Sequence, residues 1–375
     1  MSALEGHRII EFAAIGPVPL CGLMLADHGA DVIRIDRPGG SGALPAEMLD
    51  VATRGRRSIA VDLKQPAGVA LAVDLAATAD AIVEGHRPGV MERLGLGPDV
   101  LLERNPRLVY GRMTGWGQDG PMAAMAGHDI NYIGLVGALH AIGTSDAPVP
   151  PLNLVGDYGG GAMLLAFGVL AALLERHRSG RGQVVDAAMI DGAALLMAPT
   201  FGLLGAGIWR DTRAANTLDG GAPFYGVYRC ADGEWIAVGA LEPQFHAELM
   251  QRLGLPDEPD RLDPAHWQAQ RERLADVFAE RPRQAWVELF DGSDACVTPV
   301  LAMTEAPGHP HNVARDVFVP VGDRSEPAPA PRFSRSAASV PTPGPRVGAD
   351  TDAVLESMGI SGADIAMLRS RGVVH

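Results

Sequence analysis

The first 115 residues alternate short apolar runs with helical segments, and this pattern limits the fold more than any other feature of the chain. RIIEFA, ADVIRID, SIAVDL, DAIVEG and RLVYGRM are rich in Val and Ile and almost continuously apolar. Between them lie stretches with helical periodicity, such as QPAGVALAVDLAATA and PGVMERLGLGPDVLLERN. Strands buried on both faces lose the apolar/polar alternation of half-exposed strands, so this half reads as a parallel sheet covered by helices on each side. The expected class is α/β, with a doubly wound, Rossmann-like large domain over residues 1–220.

The ligand of such a sheet sits at the carboxyl ends of its strands. A dinucleotide would need G-x-G-x-x-G in the first strand-to-helix turn. That turn here is AAIGPVPLCG, with prolines where the tight glycine turn belongs. Basic residues occupy the strand ends instead: Arg37, Lys64, Arg87 and Arg112, the last within or just after the fifth strand. Between Arg34 and Arg112 there are 11 basic and 10 acidic residues, in a chain of net charge −14. Lys64 is the only lysine in the protein. Arginine's planar fork suits phosphate, so the pattern points to a phosphate-bearing ligand held without a P-loop. The overall negative charge argues against generic nucleic-acid binding. No apolar run of membrane-spanning length is free of charge, glycine or proline, and no basic start with an apolar core marks a signal peptide, so neither is expected. Cys21, Cys230 and Cys296 lack metal-ligand spacing and fit buried thiols in a reducing cytoplasm.

The chemistry is concentrated between Gly127 and Gly161. This stretch opens with His128 and Asp129 and closes with Asp157 followed by three glycines. A long apolar helix is expected to begin at those glycines and to leave amide donors open around Asp157 to Gly161. Histidine titrates near neutrality, and a carboxyl beside it completes a pair able to move a proton to and from an acidic carbon. Taken singly, His-Asp is an ordinary turn or cap and Gly-Asp an ordinary loop.

Eight blocks in order change that reading: RIDRP, EGHRPGVMERLGLGP, RMTGWGQDGP, AGHDINY, PPLNLVGDYGGG, SGRGQVVDAAMIDG, LDGGAPFY and GALEPQF. They resemble the alpha-methylacyl-CoA racemases of the family III CoA-transferase superfamily, from the first strand to about Phe333. The resemblance implies an isomerase that inverts the 2-methyl centre of 2-methylacyl-CoA thioesters through an enolate. It makes His128 and Asp157 the two acid/base residues, and Glu242 a carboxylate from the partner subunit that orients the histidine. Asp129 and Asn153 become supporting polar residues, and Arg37, Lys64, Arg87, Arg93 and Arg112 fall on the regions that hold coenzyme A. His86 departs from the pattern, where relatives often carry an aromatic or apolar residue. Coenzyme A enters as part of the substrate, with no further cofactor and no metal. An interlocked homodimer with sites shared between subunits follows from the same resemblance. So does a methionine-rich surface for the acyl chain, for which Met122, Met125, Met163, Met189 and Met197 are candidates.

A family III CoA transferase is the alternative. There the equivalent of Asp157 attacks the thioester and becomes a mixed anhydride. That route needs no histidine base, so His128 separates the two. A coenzyme A sensor with a vestigial pocket is the non-enzymatic alternative, and intact His128, Asp157 and Glu242 count against it.

Beyond Gly221 the character changes. FYGVYRCADGEWIAVGAL reads as a hairpin turning at Asp232-Gly233, and helical runs follow, so residues 221–320 are expected to form a smaller α+β domain. Residues 321–348 are rich in proline, serine and alanine and suggest an extended arm. Two short helices capped by Asp or Ser end the chain, and by resemblance residues 321–375 return to the large domain.

Overall fold

The computed structural model of the chain describes residues 1–40, 52–256 and 260–375. These residues form two compact units, one of residues 1–136, 152–196 and 318–375, the other of residues 137–151 and 197–317. Of the charges counted between Arg34 and Arg112, Glu47 and Asp50 lie outside the described residues.

In the first unit, β1 (Arg8–Phe12), β2 (Asp31–Asp36), β3 (Arg57–Ala60), β4 (Ala81–Glu84), β5 (Val109–Thr114) and β6 (Val184–Ala188) form one sheet in the order β3-β2-β1-β4-β5-β6. Every pairing is parallel. This is the doubly wound strand order of dinucleotide-binding folds, whose direction of winding reverses between β1 and β4.

Alternate residues of each strand supply two cores. Ile10, Ile33, Ile35, Ile82 and Tyr110 face one side, where Leu71 and Leu75 of helix Pro66–Ala77 cover them. Ile9, Val32, Val83 and Val109 face the other, under helices Pro17–Asp27 and Met163–Ser179. Gly111 lets the latter helix approach, since a Cβ there would come within 2.9 Å of Leu165.

Together with the turns before it, that helix runs without a break from Leu154 to Ser179. It is long and apolar enough to cross a bilayer by composition, yet Leu165, Ala166, Val169 and Leu173 are buried in the core. Its other face exposes Met163, Phe167, Leu170 and Leu174, spaced as one helical stripe.

The C-terminal residues close the far edge of the sheet. The Asp62 amide donates to the Val373 carbonyl at 2.9 Å and the His375 amide to Ala60 at 3.0 Å. Ser361 caps helix Gly362–Ser370 as expected, accepting from the Asp364 amide. Asp350 does not cap helix Thr351–Ser357, because its carboxylate accepts the Ser58 amide at 2.8 Å instead. The arm is not wholly extended either: β10 (Phe318–Val321) and β11 (Arg324–Pro327) form a hairpin.

Several charged groups are deep in this unit, Glu11, Arg34, Asp36 and Arg56 among them. Glu11 and Arg56 are fully buried in contact, with Arg56 Nη1 at 2.9 Å from Glu11 Oε2. Burial pushes the Glu11 carboxyl up and Arg56 pulls it back.

The second unit holds β7 (Tyr225–Arg229), β8 (Trp235–Gly239) and β9 (Val297–Val300), antiparallel in that order. Asp232 and Gly233 make the β7–β8 turn, with Gly233 at φ +86°. Tyr228, Ile236 and Val238 pack on helices Pro243–Leu253, Trp267–Phe278 and Arg283–Phe290. Residues 197–220 count with this unit, where the sequence pattern ended the large domain at 220. Cys21 and Cys230 are buried, but Cys296 is exposed, contrary to the expectation for all three.

Candidate active site

Where the winding of the sheet reverses, the turns after β1 and β4 stand apart and leave a cleft of ≈520 Å³. Gly16 and Pro17 form one wall, Gly85, His86 and Arg87 another, and His128 and Asp157 both line it. Backbone conformation explains the glycine at position 16. Its φ is +71°, a region that side chains avoid.

Asp157 sits inside a π-helical segment, Leu154–Ala162, that leads into helix Met163–Ser179. Such wide turns are rare and recur at functional sites. Here the surrounding glycines show how it fits. Gly156 leaves room for Asp129, whose Oδ2 would be 2.7 Å from a Cβ. Gly160 and Gly192 let two backbones touch, since a Cβ on Gly160 would be 2.6 Å from the Ala193 nitrogen. Gly161 sits equally close to Pro17 and Met189. The glycine run is therefore packed against neighbouring backbone and side chains, and it does not mark a helix start.

This changes the expected source of oxyanion donors. The Gly156 and Asp157 amides both donate to Asp129 Oδ2, each at 2.7 Å, and the Tyr158 amide donates to the Asn153 carbonyl. Amides expected to be open to a ligand are already engaged. Asp129 is buried, and its other carboxylate oxygen has no partner among the described residues.

Burial raises the pKa of Asp157 above the usual carboxylate range. The Asn153 side chain, which donates to Oδ2 at 3.1 Å, opposes that rise. Nearby Asp129 adds to it, and His128 works against it. His128 precedes helix Asp129–Leu135 in extended conformation, and its amide donates to Asn131 Oδ1 at 3.0 Å. Its ring is exposed. The two groups proposed for proton transfer thus meet one cleft, with different environments that favour a neutral carboxyl on one and ready access on the other.

A second cleft of ≈430 Å³ opens at the ends of β1 to β4, lined by Asp36, Arg37, Asp62, Lys64 and His86. Arg37 and Lys64 are exposed there, as Arg87 is in the first cleft, and His86 lines both. Arg93 ends the short helix Val90–Arg93 and is exposed. Arg112 is different. It lies within β5, buried, with Nε at 3.2 Å from Glu84 and Nη1 at 2.8 Å from Glu92. Its charge is spent inside the protein, so the strand-end reading fails for this residue.

Glu242 belongs to the second unit. It precedes helix Pro243–Leu253, is exposed, and raises the Cys296 thiol after burial has done so. Met125 and Met189 line the first cleft, while Met163 is on the exposed stripe. Trp116 and Tyr132, in the RMTGWGQDGP and AGHDINY blocks, also line the cleft but were not among the expected site residues. Their trace was in Gly115 and Gly127, whose missing side chains make space for the two rings.

Known proteins resemble the chain over nearly its whole length. The family model described as "CoA-transferase family III" matches residues 4–351. The mouse protein named alpha-methylacyl-CoA racemase is 46% identical over 378 residues, covering 99% of this chain and 97% of that one. The human protein of the same name is 43% identical over 381 residues, covering 100% and 98%. A crystal structure of Rv3272 from M. tuberculosis aligns with a TM-score of 0.80 at 28% identity, covering 94% of this chain and 99% of the other. The chain belongs to CoA-transferase family III.

Proposed function

We propose that the protein is an alpha-methylacyl-CoA racemase, inverting the 2-methyl centre of branched acyl-CoA thioesters. The observation that carries this is the placement of His128 and Asp157 on one cleft at the switch point of the sheet, with the Asp157 carboxyl raised. A thioester acidifies its α-carbon. One group takes the proton from one face, and the other returns a proton to the opposite face of the planar enolate. Two such groups, one protonated while the other is not, can exchange these roles in either direction, and burial favours the proton on Asp157. Apparent pKa values of activity then belong to the pair.

Arg37, Lys64, Arg87 and Arg93 would hold the coenzyme A moiety along the strand ends. The acyl chain would lie on Met125 and Met189, whose flexible thioethers adapt to different shapes. No cofactor is required beyond the coenzyme A of the substrate. In this reading a second copy of the chain supplies Glu242 to orient His128. The exposed stripe Met163, Phe167, Leu170 and Leu174 supports such a partner, because contiguous exposed apolar surface marks an interaction site. The three unpaired cysteines suit a reducing compartment, and we place the enzyme in the cytoplasm.

The competing reading is a CoA transferase in which Asp157 attacks the thioester. A single epimer of a 2-methylacyl-CoA separates the two. A racemase converts it to a mixture of epimers with coenzyme A still attached. Transfer of coenzyme A to a free carboxylic acid, with a hydroxylamine-trappable aspartyl intermediate, would replace the racemase reading.

A further inference from the structure

Tyr132 lines the same cleft as His128 and Asp157, from helix Asp129–Leu135. Its residue is only 5% exposed, and its ring stands edge-on to Trp116 with centroids 4.7 Å apart. Two glycines fix where that ring can be. A Cβ on Gly115 would overlap the Tyr132 ring and hydroxyl, and one on Gly127 would be 2.8 Å from both aromatic rings. The hydroxyl is held as firmly as the ring.

Buried tyrosine hydroxyls ordinarily find a hydrogen-bond partner. This one has none among the described residues, nor is it sealed from open space. Burial raises its pKa, Asp157 adds to the rise and Arg87 opposes it, so it remains a protonated donor at neutral pH. The proposed reaction requires such a donor, since charge develops on the thioester oxygen when the α-proton leaves. The Gly156 and Asp157 amides are held by Asp129. Trp116 Nε1 is unpartnered but shut away from the cleft.

We propose that the Tyr132 hydroxyl donates a hydrogen bond to the thioester carbonyl oxygen and stabilises it as the enolate forms. This rests on the racemase reading above. When the base takes the α-proton, the C–H electron pair becomes the C=C bond and the carbonyl π pair moves to oxygen, where Tyr132 meets it. No proton leaves the tyrosine, and reprotonation at carbon reverses the shift.

The test is Tyr132→Phe, which keeps the ring and its packing. We expect kcat for epimerisation, and for exchange of the α-hydrogen in deuterated water, to fall about 10²-fold with KM little changed. The thermal midpoint should match that of the wild type. Wild-type kcat in Y132F, or a loss confined to KM, overturns the proposal and leaves the racemase reading standing. Absence of exchange in the wild-type enzyme removes the reading itself, and the proposal with it. Should Y132F fail to fold, 3-fluorotyrosine at position 132 preserves shape and strengthens the donor. A kcat that responds to the phenol's acidity supports the proposal, and one that ignores it overturns it.

Discussion

Gly192→Ala is the perturbation that most sharply tests how the site is built. Gly192 lies in helix Met189–Leu196, directly against the π-helical segment that carries Asp157. A Cβ at position 192 would overlap the Gly160 carbonyl oxygen and sit 2.5 Å from its carbon and 2.6 Å from its Cα. Real Cβ atoms essentially never come closer than 3.0 Å to a neighbour, and backbone cannot swing aside as a long side chain can. The two segments must part by about 1 Å, a misplacement that costs roughly 10²-fold in rate when it reaches a reacting group. Overpacking of this kind costs about 1–3 kcal/mol. In a domain of this size each kcal/mol lowers the melting midpoint by about 2–4 °C. Gly202→Ala is the matched control, in helix Ala198–Gly205 with nothing within 4 Å of its Cβ. It should stabilise by about 0.5–1 kcal/mol through helix propensity. Calorimetry and epimerisation kinetics on both variants decide the matter. Wild-type midpoint and rate in G192A, or equal damage in G202A, would refute the reasoning.

Three further outcomes are expected. Asp157→Asn should raise the thermal midpoint at pH 7 while abolishing activity. Because burial raises the native carboxyl's pKa, the folded chain keeps a proton that the unfolded one releases. Its contribution to stability therefore falls as pH rises from the unfolded value of about 3.9 through the native one. The advantage of the variant should accordingly vanish below about pH 4, and a midpoint lowered at pH 7 contradicts this. Arg56→Met leaves buried Glu11 with only Arg34 among the described residues, 3.8 Å away, to oppose its charge and should cost about 3–5 kcal/mol in urea unfolding, whereas a loss below about 1 kcal/mol would show the pair to be incidental. Inactive His128→Ala and Glu242→Gln chains, unfolded and refolded together, should recover activity, since a mixed dimer contains one intact site if Glu242 acts across the two-fold axis. No recovery, despite mixed dimers on native mass spectrometry, places Glu242 elsewhere.

The sheet was legible because its strands are buried on both faces. RIIEFA, ADVIRID and DAIVEG could not have been half-exposed strands, and each lies within one residue or two of its expected position. Local pattern also sufficed for the Asp232-Gly233 hairpin and the Ser361 cap. Features that depend on what is brought alongside were not legible. The glycines after Asp157 read as an opening, when they are contacts with Ala193, Pro17 and Met189. Arg112 read as a ligand-binding cation because its neighbours Glu84 and Glu92, 28 and 20 residues earlier, meet it only in the fold. Asp350 looked like a cap until β3 supplied the Ser58 amide. Tyr132 lay within the AGHDINY block but was not singled out, and the space for its ring is made by Gly127 in the same block and by Gly115.

The central claim is that His128 and Asp157 move the α-proton of an acyl-CoA. Exchange in deuterated water measures that step directly. Each epimer of a 2-methylacyl-CoA should acquire one deuterium at C2 with the wild-type enzyme. His128→Ala and Asp157→Asn should each lose epimerisation by at least about 10²-fold, the contribution of one positioned acid or base. Unchanged epimerisation in either variant, or no exchange in the wild type while coenzyme A passes to a free acid, would contradict the account.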